Sequence, residues 1–225
     1  WHAAPGSYAE QVAVDRNRLV AVPEGVDPAV AASMLLQGMT SHYLLHGVRE
    51  TKPGDTMVVT AGAGGVGLIL TQMAAAEEAT VYSVVSSDEK EKLAYEAGAT
   101  KVFRYGEDLA EQIKAENGGG GVDVVYDGVG QDTFEMCLNV TRPRGLVCSF
   151  GSASGDVEPF KIQELNAHGA LFLTRPSLKH YVATDDEFLM RAQAVARAVE
   201  EGTVKIRIHP PYELKNARQA HEDLQ

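Results

Sequence analysis

From residue 56 onward, short apolar runs alternate with stretches in which apolar residues recur every three or four positions. Residues 57–61 are nearly all apolar, with no in–out alternation, which predicts a strand covered on both faces. The same pattern predicts further strands over 80–85, 101–103, 122–127, 146–150 and 170–173. Between them, helices are predicted over 66–76, 108–117 and 133–140, and another from a capping box at Ser86-Ser87-Asp88-Glu89 to the stop at Gly98. Such an alternation implies an α/β protein: a Rossmann-type, doubly wound parallel sheet of about six strands. Ahead of this unit, residues 7–22 hold two strand-like runs, ended by Pro23-Glu24-Gly25. Asp27 as N-cap and Pro28 at the first helical position open a helix. A second is predicted over 40–48, before the turn Lys52-Pro53-Gly54-Asp55, and 214–225 reads as a helix at the other end.

Composition narrows the function classes. The net charge of -11 repels phosphodiester backbones, and no local basic patch offsets it, so nucleic acid is not expected as a partner. No run approaches the roughly 18 apolar residues of a membrane span, and no signal peptide opens the chain. A cytoplasmic protein without membrane association is expected. Two cysteines, Cys137 and Cys148, are too few for a disulfide framework or a four-thiolate zinc site. The chain starts at Trp1 rather than Met and ends within an apparent helix, so a piece of a longer protein is expected.

The chemistry concentrates in Gly62-Ala63-Gly64-Gly65-Val66-Gly67, a G-x-G-x-x-G pattern between a predicted strand and a predicted helix. Gly62 permits the tight turn, and Gly64 lets the backbone approach a pyrophosphate. Gly67 lets the helix pack on the sheet with its N–H groups aimed at the phosphates. Leu68 stands where a nucleotide-hydrolysing loop needs lysine, which disfavours ATP or GTP. About twenty residues on, NAD enzymes carry an acid that accepts from the ribose 2′-OH. Here that strand ends in Val85-Ser86-Ser87. Asp88 is either a ribose contact or a first-turn helix acid, and Lys90 either a 2′-phosphate cation or a solvated lysine.

Other residues read more plainly. His42 and His46 share a helix face, but Tyr43 sits where the metalloprotease motif needs Glu, and Leu36-Gln37-Gly38 offers no cysteine. No metal is expected. Cys137 and Cys148 read as small buried hydrophobes. Ser149 lacks the preceding glycine of a nucleophile elbow, Val147 standing there. Gly118 to Gly121 read as a surface turn.

The glycine loop, Tyr126-Asp127-Gly128-Val129-Gly130, Ser149-Phe150-Gly151-Ser152 and Thr174-Arg175-Pro176-Ser177-Leu178 together resemble the zinc-free NADPH:quinone oxidoreductases. These are the zeta-crystallin-like branch of the medium-chain dehydrogenase/reductase superfamily. The resemblance covers essentially the whole chain, and the last motif is its most specific element. It implies that 37–175 form an NADPH-binding Rossmann domain. It also implies that 1–36 and 176–225 are remnants of a GroES-like, β-rich catalytic domain. Thr40 would lie near the nicotinamide; Gly62, Gly64, Gly65, Val66 and Gly67 would form the pyrophosphate loop. Ser86, Lys90 and Tyr105 would hold the 2′-phosphate, while Val129, Phe150, Gly151, Ser152, Leu173 and Thr174 would line the cofactor. Gly128 departs from the serine that relatives often carry. The implied activity is reduction of a quinone, or a similar activated carbonyl, by a homodimer joined through its sixth strands. An enone reductase, a non-catalytic NADPH-binding relative and, more remotely, a Rossmann-like methyltransferase are the alternatives. No catalytic acid or base is expected among these residues.

Overall fold

The structure, a computed structural model, describes residues 5–223. The expected segments 1–36 and 214–225 each extend beyond that range. Six strands form one sheet: β1 (Thr56–Val59), β2 (Thr80–Val85), β3 (Lys101–Arg104), β4 (Val122–Asp127), β5 (Thr141–Ser149) and β6 (Phe172–Thr174). All pairings are parallel and the order is β3-β2-β1-β4-β5-β6. The order reverses between β1 and β4, where doubly wound sheets place their ligands. The helices are α1 (Pro28–Tyr43), α2 (Gly65–Ala76), α3 (Asp88–Glu96), α4 (Leu109–Glu116), α5 (Phe134–Val140), α6 (Gln163–Ala167), α7 (Leu178–Tyr181), α8 (Asp185–Glu200) and α9 (Ala217–Asp223). Among the described residues no helix is long and apolar enough to cross a membrane.

Successive strand residues point to opposite faces, so the apolar runs feed two cores. Met57, Val59, Val81, Val124 and Tyr126 pack with Met39 of α1, Leu70 of α2 and Phe188 and Val195 of α8. Val58, Val84, Phe103, Val125 and Val147 pack with Ile113 of α4 and Cys137 and Leu138 of α5. Full burial of one such side chain stabilises by about 1.5–3 kcal/mol.

Four local expectations are corrected. The runs in 7–22 do not form strands, because among the described residues no strand runs beside them to take their backbone hydrogen bonds. Side chains hold that segment instead: Arg18 donates to the Val182 carbonyl at 2.9 Å and lies over the Phe188 ring. The helix expected over 40–48 is the end of α1, followed by a π-turn at Leu44–Val48. Gly38 does not interrupt α1; it lets α8 approach, since a Cβ there would lie 2.5 Å from Val195 Cγ1. The carbonyls at its end are taken by the Tyr126 hydroxyl on Leu44 and the Thr51 N–H on Leu45, both at 2.9 Å.

The capping box expected at residues 86–89 does not form. Ser87, not Ser86, is the N-cap and accepts from the Lys90 N–H, so no glutamate occupies the reciprocal position. A true reciprocal box forms at Thr184 and Glu187, opening α8. Finally, β5 begins at Thr141, ahead of the expected start, and passes Pro143 through a register shift with Arg144 at a φ of 60°. A bulge is where a sheet tolerates proline.

Candidate functional site: a nucleotide cleft at the switch point

The turn from β1 to α2 carries the glycine motif, and none of its four glycines has a positive φ; Ala61 does, at 48°. The glycines serve close approach rather than an unusual backbone angle. A Cβ on Gly62 would overlap Ser83 of β2, and one on Gly67 would sit 2.8 Å from the Gly62 backbone. Gly62 and Gly67 are buried, while Gly64 and Gly65 are exposed. No side chain caps α2. Asp27, Ser87 and Thr184 do cap α1, α3 and α8. The first N–H groups of α2, at Gly65 and Val66, therefore remain available to an anion.

Across the switch point stands a residue that the sequence reading left without a role. Asp127, at the end of β4, is fully buried. Its Oδ1 accepts from the hydroxyls of Thr60 at 2.6 Å and Thr133 at 2.7 Å and from the Val129 N–H, and Oδ2 from the Gly130 N–H. Thr60 Oγ1 in turn accepts from the Gly128 N–H at 2.9 Å. The Asp127 carbonyl takes the N–H groups of Phe150 and Gly151 beyond β5. One residue thus ties together the ends of β1, β4 and β5. The loops after β4 and β5 touch backbone to backbone: a Cβ on Gly151 would lie 2.8 Å from Gly128 Cα. Only the fold shows this bracket, because Thr60 and Asp127 are 67 residues apart with no local pattern joining them.

Three cavities lie along the C-terminal ends of the strands. Ser86, Lys90, Tyr105 and Gly64 line one of about 170 Å³. Lys90 Nζ donates to Ser86 Oγ at 3.0 Å there, and no carboxylate lines the cavity. The Tyr105 hydroxyl receives the Ala61 N–H and is 3.4 Å from the Val84 carbonyl; burial pushes its pKa up. Asp88, the possible ribose acid, is turned to Arg104 at 2.6 Å. Tyr105 also borders a second cavity of about 570 Å³, with Leu109, Val129 and Met136. Gly151, Ser152, Leu173 and Thr174 line the third, about 480 Å³, with Arg175, Phe134 and Phe160.

Of the residues expected around the nicotinamide, two lie apart from these walls. Phe150 packs over Gly128, where a Cβ would stand 3.1 Å from the ring. A serine at 128 would press on Phe150, which gives the departure at Gly128 a steric meaning. Thr40 is buried in α1, its hydroxyl donating to the Leu36 carbonyl at 2.7 Å.

His42 accepts from Arg191 at 3.0 Å, and His46 pairs with Glu77 at 3.0 Å. Cys137 and Cys148 are buried, unpaired, and raised in pKa by burial. Both are inert as nucleophiles.

Comparison with known proteins agrees with this geometry. Residues 65–192 match the family model described as zinc-binding dehydrogenase. The Burkholderia 2-haloacrylate reductase is 36% identical over 96% of this chain and 66% of its own length. Quinone oxidoreductase 1 of Escherichia coli is 37% identical over 99% of this chain and 69% of its own. The chain spans about two thirds of the length of these relatives. A mycobacterial protein solved with NADPH superposes with a TM-score of 0.95 at 45% identity, covering 99% of this chain and 69% of that one. The chain belongs to the zinc-binding dehydrogenase family and, within the medium-chain dehydrogenase/reductase superfamily, to the quinone oxidoreductases.

Proposed function

We propose that this chain carries the cofactor half of an NADPH-dependent reductase whose substrate is a quinone or a similar activated carbonyl. The carrying observation is the small cavity between β2 and β3: it offers Lys90, Ser86 and Tyr105 and no carboxylate. A 2′-phosphate suits that set, whereas the 2′-OH of NADH calls for an acid. The open first turn of α2 would take the pyrophosphate at Gly64, Gly65 and Val66, with Gly62 and Gly67 shaping the turn. Val129 would line the adenine side and Phe150, Gly151, Ser152, Leu173 and Thr174 the nicotinamide side, with Thr40 nearby in α1. When bound, NADPH supplies the hydride; the residues named here only bind, orient and exclude water. The mycobacterial structure with NADPH and the quinone oxidoreductase relatives support this reading.

A second reading has its own support in the 2-haloacrylate reductase relative: the hydride would go to an activated C=C bond instead. A screen of quinones, enones and haloacrylates that follows NADPH oxidation separates the two. Cofactor choice is tested by titration: Lys90→Ala should weaken NADPH about ten- to a hundredfold and leave NADH nearly unchanged. Equal losses for both would sink the 2′-phosphate assignment.

Residues 1–36 and 176–225 would be parts of a GroES-like catalytic domain flanking the 37–175 unit. No zinc is needed, since His42 and His46 are already engaged by Arg191 and Glu77; elemental analysis should find no stoichiometric metal. Phe172, exposed on the edge strand β6, suits pairing of two copies into a homodimer with one continuous sheet. A cytoplasmic setting fits the two free thiols, and the acidic surface argues against nucleic-acid or anionic-membrane partners.

A further inference from the structure

Arg104 is the last residue of β3 and pairs in register with Val85, the last of β2. Its Nη2 donates to Asp88 Oδ1 at 2.6 Å and to Glu91 Oε2 at 2.7 Å. Both acids stand in the first turn of α3. That turn also carries Lys90, which lines the small cavity with Ser86 and with Tyr105, the residue after Arg104. Asp88 is therefore two positions from each of the cavity's polar groups on its own segment. It stands close to where an NAD enzyme keeps its ribose acid.

We propose that Arg104 sets the cofactor preference of this chain by holding Asp88 and Glu91 away from the 2′ position of the adenosine ribose. The inference rests on the reading of Ser86, Lys90 and Tyr105 as the 2′-phosphate pocket. With Arg104 in place, the charges of Arg104, Lys90, Asp88 and Glu91 cancel. Without it the set is negative by one, and a 2′-phosphate carrying about −1.5 to −2 meets two free carboxylates. Repulsion falls on NADPH alone, while a freed Asp88 can accept from the 2′-OH of NADH. Arg104 touches neither cofactor; it is a positioning residue. A single cation between two acids from an adjoining helix turn selects the ligand by removing what would select the other one.

The test titrates NADPH and NADH into the intact protein and its variants at low and high salt. Arg104→Ala should weaken NADPH about tenfold and leave NADH unchanged or a few-fold tighter, an effect that shrinks at high salt. Arg104→Lys should keep most of the preference. Adding Asp88→Asn and Glu91→Gln to Arg104→Ala should restore it, and those two substitutions with Arg104 retained should weaken NADH relative to NADPH. This last variant reads the inference even if Arg104→Ala does not fold. An unchanged NADPH/NADH ratio in Arg104→Ala, or equal loss of both cofactors, overturns the inference if Lys90→Ala still loses NADPH selectively. If Lys90→Ala shows no selective loss, the pocket reading itself falls and the inference with it.

Discussion

The Tyr105 hydroxyl, at the exit of β3, receives the Ala61 N–H at 2.8 Å, and Ala61 holds a φ of 48° at the turn that opens the glycine loop. A left-handed alanine is a strained position that surrounding contacts must enforce. Tyr105 therefore serves twice, as a wall of the small cavity and as a brace for the loop below it. Tyr105→Phe keeps the ring and removes the brace. We expect a loss of about 1 kcal/mol of stability, because the Ala61 N–H is left to water in a partly buried site. NADH should weaken by roughly three- to tenfold, since the loop proposed to hold either pyrophosphate is loosened, and NADPH by more, since the same hydroxyl belongs to the proposed 2′-phosphate set. Thermal unfolding and cofactor titration check this, and unchanged values in both would refute the brace.

Asp127 should be the least replaceable polar residue of the cleft. Four donors converge on its carboxylate, and Asp127→Asn turns one acceptor oxygen into a donor facing the Gly130 N–H or a threonine hydroxyl. With the site fully buried, the mismatch should cost about 2–4 kcal/mol. Denaturant unfolding measures the loss. Because the same residue anchors Val129 and Phe150, cofactor binding should weaken in step with stability.

The glycines of the loop should differ in tolerance. A Cβ on Gly67 meets backbone, 2.5 Å from the Ala61 carbonyl oxygen and 2.8 Å from Gly62, and backbone cannot yield cheaply. Gly67→Ala should cost about 2–3 kcal/mol and weaken both cofactors. The nearest atoms to a Cβ on Gly65 are the far end of the Gln37 side chain, which yields more cheaply than backbone. Gly65→Ala should therefore change stability by less than about 1 kcal/mol. Unfolding midpoints of the two variants, compared side by side, decide it; a Gly65→Ala as damaging as Gly67→Ala would mean that Gln37 is fixed.

How far the sequence carried the fold can be read from individual elements. The central strands were legible because a buried parallel strand must be apolar on both faces, as 57–59 and 124–126 are. Residues 7–22 were not, because alternation suits a strand but only a neighbour makes one. The helix α8 carries its own capping box and apolar positions at Phe188, Ala192 and Val195, yet its docking on α1 depends on Gly38, which looks like a helix breaker in isolation. Of the site, the glycine loop was visible in its residues alone. Tyr105 was singled out only through family resemblance, as a 2′-phosphate contact; nothing local marks a tyrosine after a strand as a brace. The roles of Asp127, which sits within one of the resemblance motifs, and of Arg104 were read by neither route, because their partners come from other elements brought beside them by the sheet order.

Acid should expose a liability between α1 and α8. His42 lies between α1 and α8, accepting from Arg191 Nη1 at 3.0 Å, with the His46 ring 4.6 Å away and His46 itself on Glu77. Burial first, then the neighbouring His46 and Arg191, lower its pKa to about 4. In the unfolded chain the same imidazole takes a proton near pH 6.5. Between these values the unfolded state binds the extra proton, so His42 contributes its stability in full above pH 6.5 and loses it as pH falls toward about 4. Partial exposure reduces the effect to on the order of 2 kcal/mol across the window. His42→Gln preserves an acceptor for Arg191 and removes the titration. Melting temperatures measured from pH 7.5 to pH 5 should fall more steeply for the parent than for His42→Gln. Parallel slopes would mean that His42 is protonated in the folded protein with ordinary ease, and that its burial does not hold it neutral.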